Sequence, residues 1–387
     1  MLKILTNSLA RGIRDICRHR VYFFMMLVFP LMSIWFFTDL MAEGLPLPVP
    51  VEVVDLDQSS MSRQTVRTLD ANQFVSISRD AVSYRDAMDR MNRGEIFGFF
   101  YIPRDFQKQA IAGDTPTLMF YTNVAYFVPA TMSFKGFKQT AVVTTGGLVT
   151  VTLVSAGVQG STVGTMLQPV VVQDHPIGNP WLDYGIYLNN SFLPGMLVLF
   201  IMLTTAFSVC SEIKNGTSPA WLQSSGGAMT TALTGKLLPQ TLIWTLMGVF
   251  MQVLFYRYLH YPCNNHLSHM LLAMVLLVIS SQAFAVICCE IVPNLRMSLI
   301  LVALTGILSF SILGFSFPVQ QMYGGVGIFS WIMPLRYYFL IYSDPALNGY
   351  PIYFSCHSYA ALCLFPLVAL IGLPRLKKRC LNPVYVP

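Results

Sequence analysis

Three polar residues near the start of the sequence have the types and spacing of a catalytic site. Asp55, Asp57 and Ser59 follow a β-branched stretch and superficially resemble the Asp-x-Asp motif of phosphatases that use an aspartyl nucleophile. The alternative is a strand-to-helix turn in which the acids and serines cap the next helix. We favour the turn, because such a phosphatase also needs Mg²⁺ and further catalytic partners that we do not find in the sequence.

A second group has the residue types of a metal site. Cys263, His266 and His269 stand at three-residue intervals, a spacing that permits metal binding, although an interfacial loop is the more common explanation. A disulfide between Cys263 and Cys356 is a further alternative, if both loops lie in an oxidising compartment. We predict no metal site.

A third pattern partly resembles a nucleotide-binding motif. Gly235-Lys236 resembles part of a phosphate-binding loop, but Leu237 follows it, and Thr230 stands where the motif requires the earlier glycine. We therefore predict that this chain has no catalytic residue, binds no cofactor and does not itself hydrolyse ATP.

The composition indicates that much of the chain contacts lipid. Of 387 residues, 54% are hydrophobic and 11% are charged, and the mean hydropathy is +0.57. Soluble domains carry charge on about a quarter of their residues. The net charge of +6 is small and concentrated at the two ends of the chain, which argues against a nucleic-acid partner and for cytoplasmic anchors beside a bilayer.

Six stretches have the roughly 20 mostly apolar residues that a membrane-spanning helix needs. They are residues 21–40, 192–211, 233–255, 267–289, 297–317 and 358–373. The last is short, but residues 352–354 can extend it. The first has no cleavage-site pattern after it, so we interpret it as a retained span. Residues 141–158 are apolar enough to compete as a seventh span; we interpret them instead as a helix or strand of a water-exposed domain.

Loop charges set the expected orientation. Basic residues gather before the first span and after the last, and an even number of spans puts both termini on one side, which the positive-inside rule makes the cytoplasm. We predict a multi-pass protein of the bacterial inner membrane. Residues 2–20 carry apolar residues at intervals of three and four, which is typical of an amphipathic helix in the membrane interface.

Residues 41–190 differ sharply from the rest of the chain. They hold ten Lys or Arg and thirteen Asp or Glu, too many charges to lie in lipid. Their pattern alternates predicted strands, near residues 48–57, 74–78, 96–103 and 115–123, with predicted helices. The expected architecture is therefore an α-helical integral membrane protein with six transmembrane helices and an inserted α/β extracytoplasmic domain. Its three parts are residues 1–40, 41–190 and 191–387.

Three glutamines fall deep within the predicted spans. Gln240, Gln252 and Gln282 are candidates to line a transport pathway. Hydrogen bonds between helices are an equally good explanation for polar residues at this depth.

Motifs along nearly the whole chain resemble those of the type-2 ABC exporter permeases. The similar segments are VVDLDQSSMSRQTVRTL at 53–69, NRGEIFGFFYIPRDFQKQAIAGDTPTLMFYTN at 92–123, NPWLDYGIYLNNSFLPG at 179–195, GFSFPVQQM at 314–322 and PLRYYFLIYSDPALNG at 334–349. The resemblance implies that residues near 318–350 form an outer re-entrant segment before the last span.

The most informative similarity is CSEIKNGTSPAWLQSS at 210–225. Glu212, Gly216 and Thr217 stand where the family has the inner loop that contacts the ATPase, although residues 213–215 replace the charged residues common there. The resemblance implies that these three residues, with Arg11 and Arg14 of the interfacial helix, couple the chain to a separate nucleotide-binding subunit that uses ATP.

The resemblance also implies further partners. Two permease copies, identical or related, would pair, and each would dock one ATPase subunit. Members with a large outer domain often work with a periplasmic adaptor and an outer-membrane channel. The alternatives are an ATP-independent membrane scaffold or secretion anchor, and a membrane-anchored hydrolase that uses the outer domain.

Overall fold

In the computed structural model, the apolar and the charge-rich parts of the sequence fold as two separate units. Met1–Leu45 and His175–Pro387 form a helical unit, and Pro46–Asp174 forms the second unit. The structure describes residues 2–45, 47–80, 83–155, 157, 178–179, 183–315 and 317–383.

Helices make up most of the described chain. In chain order they are α1 Leu2–Arg18, α2 Arg20–Leu40, α3 Ser60–Asp70, α4 Tyr84–Asn92, α5 Phe106–Ala112, α6 Phe127–Ser155, α7 Tyr184–Lys214, α8 Ser218–Ser224, α9 Met229–Tyr258, α10 Leu267–Ile291, α11 Leu295–Ile312, α12 Gly324–Ile332, α13 Pro334–Ile341 and α14 Ile352–Leu381. The strands are β1 Val49–Asp55, β2 Val75–Asp80, β3 Gly98–Ile102 and β4 Met119–Thr122.

Six of these helices are long and apolar enough to cross a membrane: α2, α7, α9, α10, α11 and α14. They coincide with the six spans predicted from the sequence. In α7 and α10, 67% of the most apolar segment is buried inside the unit, against 22% in α2, α11 and α14. The first pair therefore forms the centre of the bundle, and the other three helices present apolar faces outward.

The second span begins earlier than its apolar run predicts. Asp183 caps α7 by accepting a hydrogen bond from the amide of Ile186 (3.1 Å), so the helix includes polar residues that a hydropathy count excludes. Two of these residues are satisfied inside the unit: Asn189 donates to the Tyr261 hydroxyl (2.9 Å), and Asn190 accepts from Tyr256. The boundary between the two units accordingly lies inside the predicted domain 41–190.

The last span continues beyond its predicted end. The basic residues that follow the apolar run, Lys378 and Arg379 among them, lie in the final turns of α14, where positive charge is favourable to the helix dipole. Before it, the extended residue Met333 (ψ 127°) separates α12 from α13, and both short helices lie in the region predicted to be re-entrant.

The second unit is built on a four-stranded sheet with the order β2-β1-β3-β4. The first three strands are parallel, and β4 runs antiparallel to β3. Residues of β1 alternate between the two faces. Val54 packs beside Ala87 and Met91 of α4 on one face, and Phe100 of β3 stacks on Phe137 of α6 on the other.

The segment that competed as a seventh span lies at the end of α6. Residues 141–155 continue this helix of the second unit, and among the described residues α6 does not reach the apolarity of the six candidate spans. Residues 156 and 158 lie outside the described residues.

A buried ion pair fixes α4 to the sheet. Glu52 of β1 is 1% exposed and accepts from Arg90 Nη1 at 2.5 Å. Arg90→Ala removes the cation and leaves the carboxylate buried, a change that costs about 3 kcal/mol. We expect faster amide hydrogen exchange in β1 and β3 of the full chain.

The matched control is Arg93→Ala, which removes an arginine from the exposed pair with Glu95. Hydrogen exchange of the sheet should match that of the unmodified chain. Equal exchange rates in the two variants would contradict a stabilising role for the buried pair.

Candidate functional site

Four charged residues of the helical unit meet in one cluster, in which Glu212 and Lys236 are buried and Arg11 and Asp15 are partly exposed. Lys236 Nζ lies 2.5 Å from Glu212 Oε1 and 2.8 Å from Asp15 Oδ2, and Arg11 Nη2 lies 3.1 Å from Glu212 Oε2. Glu212 and Lys236 are 4% and 3% exposed. We call Arg11, Asp15, Glu212 and Lys236 the charge cluster.

Three elements supply the charge cluster. Arg11 and Asp15 are four residues apart on α1, so they share one face of that helix. Glu212 lies in the last turn of α7, and Lys236 lies in the second turn of α9. The charges alternate along the chain of contacts, so each carboxylate has a cation beside it and the cluster has no net charge. Buried charges in an apolar bundle require this kind of pairing.

Small residues allow α1 to approach α9 closely. A Cβ atom added at Gly235 would lie 2.1 Å from Ser8 Oγ, and one added at Gly12 would lie 2.5 Å from the carbonyl oxygen of Gly235. The hydroxyl groups of Ser8 and Ser225 also form a hydrogen bond with each other (3.0 Å between the oxygens). Close backbone contact of this kind is how helices pack through small residues in membranes.

The loop after α7 is held against the same cluster. Thr217 donates a hydrogen bond to Glu212 Oε2, and the Lys236 ammonium lies 5.1 Å from the ring centroid of Trp221. Trp221 and Leu222 are buried, whereas Ala220 and Gln223 on the other side of α8 are exposed. The short helix α8 therefore has one face packed on the bundle and one face free.

Glycines form the corners at both ends of α8. Gly216 has φ +68°, and Gly226 and Gly227 have φ +68° and +74°, a left-handed conformation that other residues adopt at a cost. Ser218 donates to the carbonyl of Cys380 (2.8 Å), which joins α8 to the end of α14. The N-terminal helix, the loop after α7 and the end of α14 therefore lie at the same end of the bundle.

A basic cleft adjoins the charge cluster. It has a volume of about 460 Å³ and is lined by Asn7, Ala10, Arg11, Arg14, Asp15, Arg18 and Ser224. Arg14 is exposed and, among the described residues, forms no ion pair.

The structure brings most of the sequence-predicted coupling residues together. Glu212 directly contacts Arg11 and Thr217, and Arg14 lines the cleft next to them. Gly216 shapes the turn that follows α7, and among the described residues no atom beyond its chain neighbours lies within 4 Å of a Cβ atom added there. The assigned role of these five residues in ATPase coupling stays a prediction at this point.

Two members of the charge cluster were not assigned from the sequence. Lys236 contacts both carboxylates of the cluster, and Asp15 is one of the two. Two features of the sequence could have indicated them. Glu212 and Lys236 have opposite charges at the end of the second predicted span and the start of the third, and Arg11 and Asp15 are four residues apart on a predicted helix.

The three glutamines form hydrogen bonds between helices. Gln240 donates to Ser208 (2.9 Å), Gln252 donates to the Tyr338 hydroxyl (2.6 Å), and Gln282 accepts from Thr241 (2.7 Å). All three side chains are buried within one chain. Their role in lining a pathway stays a prediction.

The acidic motif near the start has the geometry of a turn. Asp55 Oδ1 accepts from the amides of Asp57 and Gln58 (3.0 and 2.9 Å), and its Oδ2 accepts from Ser62 Oγ (2.6 Å). Ser59 caps α3 by accepting from the amide of Ser62. The Asp55 carboxylate is therefore occupied by the local backbone and the next helix.

Cys263 and His266 lie in the loop before α10, and His269 lies in the first turn of that helix. Within the part of the chain that the structure describes, no three His, Cys, Asp or Glu residues are placed to hold a metal ion. Cys263 donates to the carbonyl of Asn265 (3.1 Å), and both Cys263 and Cys356 are free thiols.

Six helices long and apolar enough to cross a membrane define a multi-pass membrane protein. Residues 20–373 match the family described as ABC-2 family transporter protein. Because this match covers most of the sequence, the chain belongs to the ABC-2 family of transporter proteins and is a permease of an ABC transporter, a transport subunit and not an enzyme. The family implies an ATPase partner. Comparison with curated proteins and with solved structures gives no significant match.

Lys236 contacts both carboxylates of the charge cluster, so we expect its removal to destabilise the fold. Lys236→Met removes a cation from the buried Glu212 and from the partly exposed Asp15, and we expect a loss of about 3 kcal/mol in the free energy of unfolding. The measurement is the Tm of the purified full chain in a neutral detergent.

The matched control is Lys214→Met, which removes an exposed lysine from the last turn of α7, the turn that also contains Glu212. Adding Glu212→Gln to Lys236→Met should recover part of the loss, because one buried carboxylate becomes neutral. A Tm for Lys236→Met equal to that of Lys214→Met would show that the cluster does not stabilise the fold.

Proposed function

We propose that this chain is the permease subunit of an ATP-driven exporter in the bacterial inner membrane. It forms the translocation path together with a second copy, identical or related, and couples to a separate ATPase that binds and hydrolyses ATP. The observation that carries this proposal is the charge cluster, because it joins α1, the end of α7, α8 and α9 next to an open basic cleft.

A permease that is driven by a separate ATPase needs a surface that the ATPase can hold and a rigid connection from that surface to the spans. The free face of α8 and the cleft beside α1 supply the surface. The charge cluster and the close packing of Ser8 on Gly235 supply the connection. When the ATPase subunits move on binding ATP, α1 and α8 transmit the movement to α7 and α9 as one body.

The arrangement of the chain ends supports the expected orientation. The end of the bundle where α8 joins α14 holds Arg14 and Arg18 of α1, Lys214 at the end of α7, and Lys378 and Arg379 of α14. Clustering of basic residues at one end favours the cytoplasmic side. The charge-rich unit, Pro46–Asp174, then follows α2 on the outer side of the membrane.

The outward-facing apolar surfaces of α2, α11 and α14 are available to lipid and to the second permease copy. The size and polarity of the second unit are consistent with contact to a periplasmic adaptor and, through it, an outer-membrane channel. Both partners remain part of the proposal.

Orientation is tested by labelling with a membrane-impermeant maleimide. In a variant whose exposed or partly exposed cysteines, Cys17, Cys263, Cys356 and Cys363, are serine, Arg85→Cys should react in intact spheroplasts, because α4 lies in the outer unit. Lys214→Cys should react only after the membrane is opened. Labelling of Lys214→Cys from outside intact spheroplasts would rule out the exporter assignment.

Partner binding is tested at Arg14. This side chain is exposed and unpaired among the described residues, so Arg14→Glu should fold normally but weaken capture of the ATPase roughly tenfold, since it places a negative charge in a basic cleft. The measurement is ATPase activity that purifies with the full chain from native membranes.

The control for Arg14→Glu is Arg257→Glu, another exposed arginine, which lies in the last turn of α9, at the end away from Lys236; this variant should leave ATPase capture unchanged. A photo-crosslinking amino acid at Gln223 identifies the captured protein, with the same group at Tyr353 as the negative position. Folded chain that captures no ATPase at Gln223 would favour an ATP-independent scaffold instead.

A further inference from the structure

The helical unit contains a buried arginine, Arg336, that lies outside the charge cluster and forms no ion pair among the described residues. Arg336 is the third residue of α13 and is 5% exposed. Its Nη1 donates to the carbonyl oxygen of Leu313, at the end of α11, over 2.6 Å. Among the described residues, no carboxylate lies within ion-pair distance of this guanidinium. The charge cluster is neutral; this site carries a net positive charge.

The guanidinium is held by a site built around it. Gly314 adopts φ +97°, and a Cβ atom there would lie 2.8 Å from Arg336 Nη1, so the glycine makes room for the arginine. On another side, the guanidinium carbon lies 4.5 Å from the ring centroid of Trp331, at the end of α12. The side chain is therefore fixed in position by α11, α12 and the turn at Gly314.

One edge of the guanidinium remains without an acceptor. Nε is buried and, within the described residues, has no hydrogen-bond partner. Leaving a buried donor unpaired carries a free-energy penalty of roughly 1–3 kcal/mol, and more for a charged group. Since Nη1 is the nitrogen that donates to Leu313, the edge formed by Nε and Nη2 is the unused one. That edge matches the two oxygens of a carboxylate or a phosphate.

The surroundings favour an anion attached to an apolar molecule. Arg336 lies in the first turn of α13, where the positive end of the helix dipole adds to its charge. Beside it, α12 exposes a face that includes Ile328 (65%), Phe329 (58%) and Trp331 (47%). A free anion would contact the charge but leave this apolar face uncovered.

We propose that the Nε–Nη2 edge of Arg336 binds the phosphate of an anionic phospholipid whose acyl chains lie on the exposed face of α12. The site is independent of the ATPase-coupling surface. Lipid binding would place an oxyanion against the unpaired guanidinium and cover the apolar residues of α12 in one step.

The first test uses the purified full chain in a neutral detergent. Dihexanoyl phosphatidic acid, below its micelle-forming concentration, should raise the Tm saturably. Dihexanoyl phosphatidylcholine and inorganic phosphate at the same concentrations should not. A wild-type chain that does not respond to phosphatidic acid, or that responds equally to phosphatidylcholine or to inorganic phosphate, would overturn the proposal.

Variants localise the effect. Arg336→Lys keeps the positive charge but lacks the two-nitrogen edge, so half-maximal stabilisation should need about tenfold more phosphatidic acid, the loss expected for one charge-assisted hydrogen bond. Arg296→Gln, which removes an exposed arginine at the start of α11, should respond as the wild type does. Equal half-maximal concentrations in Arg336→Lys and wild type would refute the site.

A second measurement does not depend on a variant at Arg336. Phosphatidic acid with brominated acyl chains quenches nearby tryptophan fluorescence, and Trp331 is half-exposed beside the proposed chains. Quenching should fall in Trp331→Phe, a mild change at an exposed ring. Undiminished quenching in that variant would place the lipid elsewhere and overturn the proposal.

Discussion

The helical unit depends on an ion-paired joint where three elements meet. Removing charges from water is expensive, and a lone Lys236 or Glu212 in this position would destabilise the bundle. The four charges are tolerated because they alternate, with Lys236 between two carboxylates and Glu212 between two cations. Two of the contacts, from Arg11 and Asp15, attach α1 to α7 and α9, and this makes α1 a structural part of the bundle.

Lys236 and Arg336 are both buried cations of the helical unit, but different groups compensate their charges. Lys236 is compensated by carboxylates from two elements, whereas among the described residues Arg336 contacts a carbonyl and an aromatic ring and no carboxylate. A stable joint needs the first arrangement. A site that receives an anionic group from outside needs the second, because an internal carboxylate would occupy the arginine.

The sequence could predict the elements better than their ends or their contacts. Long apolar runs identify spanning helices, and capping serines such as Ser59 identify where helices begin. The start of α7 was missed because Asn189 and Asn190 look too polar for a span. Their partners, Tyr261 and Tyr256, come from a distant part of the chain.

The same limit applies to the candidate site. Glu212 and Thr217 were found through a local resemblance, but the pairing of Glu212 with Lys236 depends on how α1 crosses α9. That crossing is set by the absence of side chains at Gly12 and Gly235. No local pattern reports that two backbones come this close, so the ion pairs become visible only in three dimensions.

The order of charges in the joint has a consequence for reversibility. If α1 lifts away from the bundle, it carries Arg11 and Asp15 with it, one turn apart and able to neutralise each other. Glu212 and Lys236 stay behind on α7 and α9, still 2.5 Å apart. Detachment thus divides the network into two electroneutral halves and strands no charge in the apolar interior.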